Sequence, residues 1–132
     1  MLMKPVLSLD DVQRILNAAR DHALNNGWAV SIAVVDDGGH LLGMLRLDGA
    51  FPLCAEIAVG KARFSAVGRW ETGLIEELVN QGAASFLSLA EGVKVKGGAP
   101  IVVDGQVVGA VGVSGVTADQ DLETARAGIA AL

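Results

Sequence analysis

Gly97-Gly98-Ala99-Pro100-Ile101, then Asp104-Gly105, then Val107 to Gly115 (VVGAVGVSG) form the stretch that decides the fold. Two glycines precede a strand-like run, and a tight turn reverses the chain. A second run ends in Ser114-Gly115 just ahead of a helix. Glycine weakens a strand interior, so its repetition here implies close backbone approach, a bulge or a ligand. Thr117 opens the helix that follows, with Gln120 completing a capping box.

Upstream the same pattern recurs. Trp28 to Asp36 reads as a strand, and so does His40 to Leu47, with Asp36-Asp37-Gly38-Gly39 as the hairpin signal between them. Both parities are apolar: Ile32 and Val34 on one, Ala33 and Val35 on the other. A sheet apolar on both faces is covered on both faces, so helices lie on each side. Ser8 caps a first helix, with Asp11 three residues on. Val12, Ile15, Leu16, Ala19 and Ala23 form its apolar stripe, and Asn25-Asn26-Gly27 stops it. Pro52 suits the first turn of a mostly buried helix running to about Val67. A shorter helix spans Thr72 to Asn80. Residues 83–91 carry an ambiguous pattern, with room for one extra short strand near Val93 to Lys96. The order is α-β-β-α-α-β-β-α, with hairpins that imply antiparallel pairing. The expected fold is an α/β/α sandwich formed as a single domain over 1–132.

Composition narrows the function. Of 132 residues, 52% are hydrophobic but only 4% aromatic, so the core is built from Ala, Val, Leu and Ile. The mean hydropathy of +0.47 is high, yet no apolar run is long enough to span a bilayer. Surplus apolar character in such a chain points to a homo-oligomer interface or an apolar pocket. The net charge of −5 argues against a nucleic-acid partner. The single cysteine, Cys54, allows neither an internal disulfide nor a multi-cysteine metal cluster. The N-terminus lacks an apolar signal core, and the reading is cytoplasmic, with no membrane partner.

Six residues are candidates for binding a ligand: Arg46, Lys61, Gly97, Gly98, Ser114 and Gly115. Lys61 shares a helical stripe with Cys54, Ile57, Ala58 and Ser65. A lysine there snorkels, forms a salt bridge or meets an anionic partner. Arg46 can clamp a carboxylate in bidentate fashion, while Asp48 reads as a helix cap or the partner of Arg46. The glycine pairs offer free backbone N–H groups. Neither a Walker motif nor a Rossmann fingerprint is present, and Ser114 lacks the nucleophile-elbow context. Two cations and two glycine-rich segments suit an acidic ligand in one pocket at a subunit boundary. On that reading Lys61→Ala weakens ligand binding and leaves the fold intact. His22 and His40 have no metal-ligand spacing. His40 reads as solvated, His22 as half-exposed at a stripe edge, and Cys54 as a buried thiol.

Ala33-Val34-Val35-Asp36, Gly38-Gly39, Arg46, Asp48, Ala50 and Lys61-Ala62, with the glycine-rich last third, resemble the GlcG/HbpS-type haem-binding family. That family includes the C-terminal domain of PduO-type proteins. The resemblance covers the chain from about Ser8 onward. It implies a profilin-like α/β/α sandwich, a homo-oligomer, and haem or a related tetrapyrrole as ligand. If haem is bound, His22 is the first axial candidate and Cys54 the second. Three readings stay open. The first is an oligomeric small-ligand binding protein. The second is an enzyme acting on a small carboxylated metabolite at Lys61, Arg46 and the glycine loop. The third is a non-catalytic accessory protein of a catabolic pathway.

Overall fold

The structure is a computed structural model and describes residues 1–89 and 91–132. The elements follow in the expected order: α1 (Leu9–Asn25), β1 (Ser31–Asp36), β2 (Leu41–Arg46), α2 (Pro52–Gly68), α3 (Thr72–Asn80), a 3₁₀ turn (Ala84–Ser88), β3 (Gly98–Val103), β4 (Gln106–Ser114) and α4 (Ala118–Ile129). The ambiguous segment 83–91 contains the 3₁₀ turn, and Ala90 within it lies outside the described residues. The short strand expected near Val93 to Lys96 does not form. That segment instead packs against helices, with Val93 N–H donating to Gly60 O and Lys96 N–H donating to Glu76.

The four strands make one antiparallel sheet in the order β2-β1-β4-β3. The last hairpin therefore inserts β4 beside β1, and β2 and β3 become the two edges. Alternation along the strands divides the interior into two layers. Ile32, Val34, Val111 and Val113 face α1 and α4, meeting Ile15, Leu16, Ala19 and Ala125. Ala33, Val35 and Ala110 face α2, meeting Ala58, Ala62 and Ala66. Helices thus cover both faces, as two-sided apolar strands require.

The α2 layer is built from small residues because the helix lies close to the sheet. A Cβ on Gly112 would sit 2.1 Å from Ala58 O, so only glycine fits beneath the helix there. Both expected capping boxes form, Ser8 with Asp11 and Thr117 with Gln120. The acids in these first turns also suit the positive ends of the helix dipoles.

Candidate functional site

The six candidate residues divide between two places. Lys61, Gly97 and Gly115 converge on Asp121. Lys61 is only 2% exposed and Asp121 3%. Lys61 Nζ donates to Asp121 Oδ2 at 3.1 Å and to Val113 O at 2.9 Å. Asp121 also accepts the N–H groups of Val116, at 3.1 Å, and Gly115. Burial raises the Asp121 carboxyl above its ordinary value, opposed by the Lys61 ammonium and by those two amides. The pair ties α2 to the end of β4 and to the first turn of α4. A Cβ on Gly97, whose φ is +132°, would stand 2.7 Å from Lys61 Nζ, so a bare backbone is what lets the lysine through. Gly98 performs a similar service one residue on: its Cβ would lie 2.6 Å from Lys61 O. Its N–H is capped by Thr72 Oγ1 at 2.9 Å. Ser114 is buried on the same side of the sheet as α2, opposite Ser31.

Lys61 is therefore not a side chain at the edge of its helix. Of the three expectations for it, an ion pair within the chain is the one its surroundings display. Two hydrogen bonds, one of them to its buried counter-ion Asp121, occupy the ammonium. The helical stripe correctly showed a lysine among apolar neighbours, but the stripe could not show an acid 60 residues away. Asp121 carried only the signal of an acid in the first turn of the last helix, where the helix dipole already accounts for one.

Arg46 lies elsewhere, where β2 ends and β1 begins. Its Nε donates to Ala50 O at 3.3 Å. Arg46 lines an open cleft of about 420 Å³ together with Leu24, Trp28, Leu47 and Asp48. Neither Asp48 nor any other acid forms an ion pair with it among the described residues. The cleft combines apolar walls with a cation that has no counter-ion. Trp28, which lines it, was read as a strand residue. The isolated aromatic in an aromatic-poor chain was the available signal.

His22 neighbours the same wall. Its ring meets Trp28 edge-on, with centroids 5.7 Å apart. Its Nε2 is 2.7 Å from Glu123 Oε2, a contact made at the protein surface. Cys54 is buried in the first turn of α2, and His40 is exposed beyond the first hairpin turn. Ser31 was missed altogether, since its strand reads as apolar. Its Oγ is buried without a hydrogen-bond partner among the described residues, in one cross-strand row with Arg46 and Ser114. Among the described residues, no group of three or more His, Cys, Asp or Glu side chains is placed to hold a metal ion.

Fold and site together define an α/β/α domain with a closed ion pair beneath the middle of α2 and an open, arginine-lined cleft at the end of the β1–β2 hairpin. Comparison with known proteins gives the same architecture a family. Residues 7–130 match the family described as haem-degrading protein HbpS-like, and the chain belongs to it. It is 47% identical to Protein GlcG of Escherichia coli K12 over 114 residues, which cover 86% of this chain and 85% of that protein. It superposes with a TM-score of 0.92 on a double mutant of HbpS from Streptomyces reticuli, at 32% identity, covering 100% of this chain and 90% of that one. A PduOC:heme complex matches with a TM-score of 0.89 at 26% identity, covering 97% of this chain and 96% of that one.

Proposed function

We propose that this chain is a homo-oligomeric ligand-binding protein that takes haem or a related tetrapyrrole, with the cleft at Arg46 as the site. The observation that carries the reading is the cleft itself. Arg46, which has no ionic partner among the described residues, lines a space walled by Leu24, Trp28 and Leu47. That pairing suits a flat apolar ligand with a carboxylate at its edge: the ring covers the apolar wall, and the carboxylate accepts charge-assisted hydrogen bonds from Arg46. The relatives support it, since one of the structurally similar proteins is described as a complex with heme.

The residues fit such a ligand at its acidic edge, and they distinguish the two axial candidates. His22 sits beside Trp28 with its Nε2 engaged only by an exposed glutamate, a surface interaction worth little and easily exchanged. Cys54 has its side chain enclosed in the α2 layer. His22 is accordingly the ligand we assign to the iron, which would supply the tetrapyrrole's redox and coordination chemistry when bound. Arg46 orients the ligand, and Trp28 keeps water from one side of it.

Assembly is the other part of the reading. Leu41, Phe51, Leu53, Trp70 and Leu74 are large apolar side chains left exposed on the single chain. Such exposure is what a second subunit covers. No helix among the described residues is long and apolar enough to cross a membrane.

Titration of the purified protein with hemin tests the reading. A saturable Soret shift is expected, altered in position by His22→Ala and weakened by Arg46→Ala. Free-hemin spectra throughout the titration would overturn it.

A further inference from the structure

The two edges of the sheet are finished differently. On β3, Val113 N–H donates to Gly97 O at 3.0 Å, which sets the phase of the ladder. Gly98 and Pro100 then direct their backbone groups away from β4. Neither offers a donor to another chain. The Gly98 N–H is taken by Thr72 Oγ1, and Pro100 has none. That edge is blunted in the manner by which natural sheets avoid joining their neighbours.

On β2 the ladder is interrupted by a bulge at Leu42, but among the described residues neither a proline nor a side-chain cap closes the outward groups beyond it. Leu47 N–H donates to Val30 O at 2.9 Å, so Arg46 and Met44 direct their backbone N–H and C=O groups away from β1. No hydrogen bond to the outward backbone groups of Met44 or Arg46 is found among the described residues. The run Leu41-Leu42-Gly43-Met44-Leu45 holds neither proline nor charge. Leu41 is 51% exposed and Leu42 39%. A proline-free edge with free donors and acceptors at Met44 and Arg46, and a single charge at its end, is a template for another strand.

We infer that β2 pairs antiparallel with β2 of a second copy about a two-fold axis near Met44, joining the two sheets into one. The inference rests on the homo-oligomer proposed above and names the surface that forms it. The occupant follows from self-complementarity. A two-fold axis makes Met44 of each copy exchange backbone hydrogen bonds with its counterpart, sets Gly43 opposite Leu45, and puts the uncharged Leu42 opposite Arg46. Antiparallel order also sends the two Arg46 side chains toward opposite ends of the ladder, so like charges do not meet. The Arg46 cleft lies at the end of this same strand, so the second copy stands beside the ligand site and helps to wall it.

The test is the mass in solution of the full chain and three variants, with circular dichroism to confirm folding. Met44→Pro removes an outward N–H that makes no bond within the chain. Leu41→Lys puts a charge on the same edge without touching the backbone, and so decides the matter if the proline variant fails to fold. Val102→Lys makes the equivalent change on the β3 edge. The expected result is a wild type heavier than one chain, a folded Leu41→Lys and Met44→Pro of at most half that mass, and an unchanged Val102→Lys. An oligomer that keeps its mass in both β2 variants overturns the edge assignment while leaving oligomerisation intact. A wild type that runs as a single 13.5 kDa chain overturns the oligomer and the edge together.

Discussion

Two basic side chains, one within α2 and one just ahead of it, lead opposite lives. Lys61 is enclosed, with Asp121 as counter-ion and Val113 O as a second acceptor. Arg46 stands at a cleft, its side chain hydrogen-bonded among the described residues to the carbonyl of Ala50 alone. In the sequence they are equivalent, each a cation beside apolar residues. What separates them is the partner. A buried charge that has lost its water must be matched inside the protein, and once matched it has little left to offer a ligand. A cation at an open cleft keeps its hydration and can exchange it for a carboxylate. Burial alone thus does not mark a functional lysine; on the proposed reading, what singles out Arg46 is the absence of an ionic partner among the described residues.

Breaking the closed pair should have the largest effect. Lys61→Ala leaves the Asp121 carboxylate buried without its cation and opens space beneath the helix. We expect a loss of about 3–5 kcal/mol in chemical denaturation. The double variant Lys61→Met, Asp121→Asn removes both charges and keeps an acceptor for the amides of Val116 and Gly115. It should recover most of that loss, and a double variant as unstable as the single one would show that the charges are not what Lys61 contributes.

A smaller effect is expected where α2 rests on the sheet. Gly112→Ala forces a methyl toward Ala58 O, and the helix must lift to admit it. Overpacking of this kind costs about 1–3 kcal/mol. Thermal unfolding should register it, whereas hemin binding at the Arg46 cleft should survive in the folded fraction. Wild-type stability in this variant would mean that α2 is not seated as closely as its alanine face implies.

Much of the fold was legible because it rests on local signals. The two hairpin turns, the capping residues at Ser8 and Thr117, and the apolar parities of Ile32-Val34 and Ala33-Val35 each act within a few residues. The hairpins fixed antiparallel pairing, and the parities required helices on both faces. The segment from Val93 to Lys96 failed as a strand because its hydrogen bonds go to Gly60 and Glu76, distant in sequence. The site failed in part for the same reason. One pocket was expected to gather Arg46, Lys61 and the glycines, since their residue types suit one acidic ligand. The glycines instead make room for Lys61 to reach Asp121, and no pattern near Lys61 announces an acid on the last helix. Arg46 was legible as a cation at a strand end, but its cleft depends on Leu24 and Trp28 from another part of the chain.

The smallest expected effect concerns an exposed acid. The Asp11 carboxyl is held below its ordinary value of 3.8, chiefly by the backbone N–H of Ser8 and then by the Ser8 hydroxyl. A carboxyl with a depressed value in the folded chain contributes stability that is complete above 3.8 and is lost as pH falls through the depressed value. Asp11→Ala should therefore lower stability at neutral pH, and the difference from wild type should shrink in acid. Asp121, raised by burial, has the opposite sign: its own contribution grows as pH falls from its raised value toward 3.8. Stability measured against pH should show the Asp11→Ala difference closing in acid; a difference that widens there would reverse the sign assigned to this cap.

The contrast between the two cations is decided most directly by hemin affinity, measured by Soret titration on two variants that keep their fold. Arg46→Ala removes the open cation, and Lys61→Met with Asp121→Asn removes the closed pair. The expected result is a loss of roughly tenfold or more for Arg46→Ala, the scale of one charge-assisted hydrogen bond, and unchanged affinity for the double variant. Affinity lost in the double variant and kept in Arg46→Ala would contradict the assignment and return Lys61 to the ligand site.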